Sequence, residues 1–235
     1  MGGRGGSSGT GGGYKTFADR ARGTHEYHGN GQEQVNFFRN NSNSDALISA
    51  MSNEDRYAFQ AWSNGYFMDG AQYGGWDNMD FRERQMTQRF DDVLDNATLS
   101  KGVVLTRLSD AQLVLGAGRR RATLAELQAA EGSIITSKGS MSFAAASQGL
   151  SIGDRSKRVE YKMKIKGGTQ GSGMWIGDRR INGWGPEQRE YMTNRDIAIK
   201  VGKTTYNSSR DIYEVQLEYV GRQAHDYGTS GRVTY

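Results

Sequence analysis

The spacing of apolar residues changes character near the middle of the chain. Before residue 100 they recur at helical intervals. Ala46, Leu47 and Met51 predict a short helix. Ser52-Asn53-Glu54-Asp55 has the form of a capping box and leads into Tyr57, Phe59, Ala61 and Trp62, helical as far as Gly65. A long helix is expected from Met79 to Ala97, with Phe81, Met86, Phe90, Val93 and Leu94 near one face and charged side chains toward water. After Ser100 the period becomes two. Val103 to Leu108 is a β-branched apolar run, Val159 to Lys166 alternates strictly, and Ile197 to Val201 and Ile212 to Tyr219 follow the same pattern. Ser109 to Gln112 and Thr123 to Glu126 fit helix N-termini between those strands. The pattern predicts an α+β fold with helices first and an antiparallel-looking β half after them.

The opening stretch, MGGRGGSSGTGGG over residues 1–13, holds too little apolar surface to offset ordering entropy and is expected to be a flexible tail. Residues 14–43 remain polar, with isolated aromatics at Phe17, Tyr27, Phe37 and Phe38, and read as an arm or linker. The folded domain is expected over residues 44–235.

Composition narrows the chemistry. The apolar set makes up 35% of the residues, and 33 glycines bring the sum near the roughly 45–50% of a globular chain. There is no cysteine, which excludes disulfide scaffolds, thiolate metal sites and cysteine nucleophiles. Three scattered histidines, His25, His28 and His225, make a poor metal set, so no metal is expected. No apolar run is long enough to cross a membrane or to form a secretory leader, so cytosolic synthesis is expected, with action in a host or target-cell cytosol. The net charge is only +4, from 30 basic and 26 acidic residues, and nucleic acid is not an expected partner. Arg119-Arg120-Arg121 is the tightest cluster and reads either as a solvated loop or as a phosphate-binding patch. The glycines of Gly168 to Gly173 lack the order of a dinucleotide fingerprint and read as loop hinges.

Three short features gain meaning together. Arg107 ends an apolar strand. Gly139-Ser140-Met141-Ser142-Phe143-Ala144 is a small-residue turn entering a strand. Gln188-Arg189-Glu190 precedes Tyr191-Met192, and in extended backbone Gln188 and Glu190 share a face. In this order and spacing they resemble the ADP-ribosyltransferase family, in the branch with an arginine, a Ser-Thr-Ser-like strand and a Gln/Glu-x-Glu loop. Ser142-Phe143-Ala144 keeps only the first serine of that strand motif. Lys166-Gly167, Gly171-Ser172 and Met174-Trp175-Ile176 are similar to the Rho-modifying clostridial exoenzymes in the same region, and Trp62-Ser63-Asn64-Gly65-Tyr66 resembles the family's N-terminal helices. The likeness spans about Ser44 to Tyr219. The glycine-rich opening resembles small proteins encoded beside phage head genes, which implies a phage origin.

The resemblance implies N-terminal helices packed on a split two-sheet mixed β core, and NAD as co-substrate. Arg107 would hold the pyrophosphate, because a planar guanidinium reaches two phosphate oxygens at once. Glu190 would stabilise the positive charge that develops on the ribose as the nicotinamide bond breaks, and would hold the ribose 2′-hydroxyl. Ser142 would orient that carboxylate. Gln188 would face the acceptor, and its neutral amide implies an uncharged side chain such as asparagine on a protein. Trp184 reads either as packing under a loop or as a docking point for that protein. Water could replace the acceptor, giving an NAD glycohydrolase. A phage structural or interaction protein on a catalytically dead form of the fold is the third reading, motivated by the altered serine motif.

Overall fold

The computed structural model describes residues 24–26, 31–63, 75–116, 118–145, 158–177, 181 and 190–234. Three helices come early: α1 (Gly31–Asn41), α2 (Ser44–Ala50) and α3 (Asn53–Ser63). A 3₁₀ turn, Trp76–Asn78, leads into α4 (Phe81–Leu94). The strands are β1 (Thr24–Glu26), β2 (Thr98–Leu99), β3 (Gly102–Ser109), β4 (Ile134–Ser137), β5 (Ser142–Ala144), β6 (Val159–Ile165), β7 (Thr169–Gln170), β8 (Gly173–Trp175), β9 (Glu190–Thr193), β10 (Ile197–Asn207) and β11 (Ile212–Arg222). Two short helices, α5 (Gln112–Leu115) and α6 (Leu124–Ala129), lie between β3 and β4.

The large mixed sheet runs β4-β10-β11-β6-β3-β5-β9-β8, with β1 beside β3, and β2 and β7 form a small second sheet. Its two halves are joined thinly. β3 meets β6 through seven Cα pairs, Val103↔Ile165 to Ser109↔Val159, but meets β5 through the single pair Thr106↔Ala144. That thin joint is the split of an α+β core, and two apolar clusters pack against the sheet. One apolar cluster, including Val103, Leu105, Phe143, Tyr161 and Tyr191, packs under α1, α5 and α6. The other joins Met174, Ile176 and Met192 to Phe59 and Trp62 of α3 and to Met86 and Phe90 of α4.

Side-chain caps account for the starts of α3, α4 and α6. The Ser52 and Asp55 side chains and backbone amides bond reciprocally at the start of α3. Thr123 and Glu126 make a capping box at α6. Asp80 and Glu83 make another at α4, so that helix begins at Phe81. The expected apolar face of α4 is corrected at that point: Phe81 occupies the first helical position and is 61% exposed, while Met86, Phe90 and Leu94 are buried. The sequence also predicts an arm over 14–43, yet residues 31–41 are helical. Phe38 is fully buried there, stacked on Trp175 at 4.4 Å and against Tyr191 at 5.7 Å. The glycines read as hinges are held tightly instead. Gly168 donates to the Leu99 carbonyl and Gly171 to that of Ala97, and Gly173 pairs with Thr193 at the opposite end of β9 from Glu190. A Cβ on Gly173 would lie 2.2 Å from the Met192 carbonyl oxygen, so only glycine fits.

The segment after β11 straps the helical layer to the sheet. Thr229 bonds Asp77, Val233 and Gln88 exchange two hydrogen bonds, and Trp76 donates to Gly231. Beneath it lies a buried charge network. Arg195 holds Asp91 with three N–O contacts of 2.8–2.9 Å and reaches Asp196 at 2.9 Å. The His225 side chain contacts Asp95 at 2.9 Å and Asp196 at 3.3 Å. Burial alone would lower its pKa, but bonds to Asp196 and Asp95 and the charge of Asp91, opposed by Arg195, push it up to about 9. Imidazolium therefore stabilises the fold fully below its ordinary value near 6.5, and that contribution is lost as pH rises through about 9. Melting temperature is expected to fall between those limits, and His225→Gln to flatten that segment of the profile, as calorimetry across the range will measure.

Candidate functional site

The site is built where the sheet is thinnest. Arg107 lies one residue beyond Thr106, the β3 member of the single joining pair. On β5, Ala144 pairs with both Thr106 and Glu190, so Thr106, Ala144 and Glu190 lie in one row across three strands. Side chains two apart on a strand share a face, which puts Ser142 on the same side as Glu190. The other end of β5 is fixed by Met141, whose amide donates to the Thr193 hydroxyl and whose carbonyl accepts from the Thr193 amide.

Glu190 is 4% exposed and is the first residue of β9. Burial raises its pKa, while a hydrogen bond with the Ser142 side chain and the charge of Arg107 draw it back down. The Arg107 guanidinium donates to the Ser142 main-chain carbonyl at 2.7 Å. One arginine thus fixes the strand whose serine contacts the carboxylate, and its positive charge favours ionisation of that carboxylate. A half-buried guanidinium and a buried carboxylate oriented by a hydroxyl offer one group suited to a phosphate and one suited to a developing cation.

The structure therefore brings together Arg107, Ser142 and Glu190, from strand ends far apart in sequence. Gln188 and Trp184 lie outside the described residues. The other two positions of the serine motif are core residues: Phe143 is 1% exposed and Ala144 4%. Sequence reasoning missed Thr106, a fully buried hydroxyl in the row with Glu190, 3.4 Å from the Ala144 carbonyl. A threonine inside an apolar strand was the available signal. Among the described residues there is no group of three or more His, Asp or Glu arranged to hold a metal ion, and no helix is long and apolar enough to cross a membrane.

No protein-family model matches the sequence, and no curated protein matches it. Solved structures do match its fold. Plx2a, an ADP-ribosyltransferase toxin from Paenibacillus larvae, superimposes with a TM-score of 0.68 at 13% identity, covering 83% of this chain and 99% of that one. C3stau2 from S. aureus, solved with NAD, gives 0.65 at 14% identity, covering 85% and 99%. An ADP-ribosyltransferase from Clostridium botulinum gives 0.65 at 13% identity, covering 83% and 98%. The chain has the fold of these C3-like ADP-ribosyltransferase exoenzymes across nearly the full length of each.

Proposed function

We infer that this protein is a mono-ADP-ribosyltransferase that cleaves the nicotinamide–ribose bond of NAD and transfers ADP-ribose to a protein. The observation that carries this reading is Glu190, a buried carboxylate held by the Ser142 side chain within the field of Arg107. The fold shared with C3-like toxins supports it. Retention of the serine–glutamate contact despite the altered motif favours an active site over a dead fold, since the changed positions Phe143 and Ala144 serve packing.

In the proposed mechanism NAD supplies the electrophilic ribose. Arg107 binds the pyrophosphate through its guanidinium. Glu190 stabilises the cationic sugar as nicotinamide departs and holds its 2′-hydroxyl, and this interaction strengthens toward the transition state. Ser142 orients the carboxylate, and its hydrogen bond favours the ionised form. Gln188 presents a neutral amide to the acceptor, an uncharged side chain such as asparagine, and Trp184 docks the protein that bears it.

The deciding experiment incubates the purified chain with labelled NAD and cell extract. Label on protein supports the transferase, whereas free ADP-ribose alone identifies a glycohydrolase. No nicotinamide release at all sinks both readings. Two further outcomes are expected. Arg107→Ala should weaken NAD binding by ~10–100-fold, the worth of a charge-assisted hydrogen bond, as titration calorimetry will measure. Gln188→Glu should shift the modified residue toward arginine, which mass spectrometry of the labelled product detects.

A further inference from the structure

The arginine triplet lies past the end of β3, beyond the joining pair of the sheet, and has a structure of its own. The loop bearing it is held to the end of β3 by a bond from the Ala111 amide to the Arg120 carbonyl. Arg119 is engaged by Glu126. Arg120 and Arg121 are exposed and, among the described residues, have no carboxylate partner. They line a cavity of about 430 Å³ with Arg158, Asp211, Tyr206 and Tyr213. That volume falls within the ~300–1,000 Å³ of small-ligand sites.

Asp211 is the one carboxylate among these lining residues, and it is occupied. It pairs with Arg158 and accepts a hydrogen bond from the Tyr206 hydroxyl at 2.8 Å. These contacts fix the rim and, among the described residues, leave Arg120 and Arg121 without a carboxylate partner. The Tyr206 ring is 48% exposed and leans on Tyr213, with ring centres 5.6 Å apart. The two tyrosines are a cross-strand pair on β10 and β11, so the aromatic wall is part of the sheet. Paired arginines suit a phosphate, and a supported aromatic face suits a planar base. An acidic peptide would use the arginines but leave the ring without a role.

We propose that this cavity is a second nucleotide-phosphate site, with the phosphate held by Arg120 and Arg121 and the base resting on Tyr206. It is independent of the transferase reading and takes a ligand other than the co-substrate. Its source is a free nucleotide or a single-stranded nucleic acid. The test is calorimetric titration of the full chain with 5′-AMP, a short oligothymidylate and inorganic phosphate. Wild-type protein should bind AMP or the oligonucleotide, and Arg120→Ala/Arg121→Ala should weaken that by about tenfold or more. Tyr206→Ala should weaken the nucleotide but leave inorganic phosphate unchanged. Tighter binding of AMP assigns the free nucleotide, and tighter binding of the oligonucleotide, with a steep salt dependence, assigns the strand. All three substituted residues are partly or fully exposed, so the variants should melt as wild type does. The proposal is overturned if neither nucleotide probe binds, if binding survives the double substitution, or if Tyr206→Ala leaves it unchanged. It is equally overturned if the double variant loses NAD binding in parallel, because the cavity then belongs to the Glu190 cleft.

Discussion

Glu190→Gln is expected to lower nicotinamide release by roughly 10²–10³-fold while the melting temperature holds or rises. The two effects have one origin. In the proposed mechanism the carboxylate meets a cation that exists only as the glycosidic bond breaks, and glutamine offers no charge to meet it. In the resting protein the same carboxylate is buried, and burial raises its pKa against the opposing pull of Ser142 and Arg107. For a carboxyl raised in this way, the stabilising contribution is complete below its unfolded value and is lost as pH climbs through the folded one. Above that range the ionised group is a cost to the fold, and the amide removes it. Wild type should therefore lose relative stability as pH rises above the ordinary carboxylate value of 4.5, and Glu190→Gln should not. Ser142→Ala removes one of the two influences that keep the group ionised, so the acid limb of its pH–rate profile should move upward. A Glu190→Gln protein that melts well below wild type, or that turns over NAD normally, contradicts this account.

The largest expected loss of stability lies elsewhere. Arg195→Met should destabilise the fold by about 3–5 kcal/mol, a fall of roughly 6–20 °C in melting temperature. Burial opposes the charge of Arg195, but the hydrogen bonds and charges of Asp91 and Asp196 outweigh it and raise its pKa. Asp91 is 0% exposed, and methionine in place of Arg195 leaves that carboxylate in the interior without its three short contacts. The same guanidinium lies 5.0 Å from the Tyr227 ring, so the strap after β11 loosens with it. Arg195→Met combined with Asp91→Leu should recover much of the loss, since the pair is then replaced rather than broken. Thermal denaturation of the three proteins separates these cases.

Legibility in the sequence followed how local each signal was. The strand holding Arg107 announced itself as a β-branched apolar run, and α6 by its Thr123–Glu126 capping box, whereas the strand of Glu190 came only with the motif resemblance. Helix α1 did not, because its side chains are mostly polar and its burial depends on Phe38 meeting Trp175 and Tyr191, far along the chain. Phe81 was misleading for a local reason: spacing put it on the apolar face, but the Asp80 cap makes it the first helical residue, where it is exposed. The charge network was invisible because its partners are 104 positions apart for Asp91–Arg195 and 130 for Asp95–His225. The meeting of Arg107, Ser142 and Glu190 was suggested by the motif resemblance, whereas the row through Thr106 exists only in the strand register.

Under the proposed function, the lone Thr106–Ala144 rung is expected to set an upper temperature for the chemistry that differs from that of the fold. Separating β5 from β3 sacrifices very little main-chain bonding, whereas opening the β10–β11 ladder sacrifices a great deal. On warming, the seam is expected to give first, and the alignment of Arg107 with Glu190 to go with it. Heat would then silence the protein while both halves of the sheet are still standing.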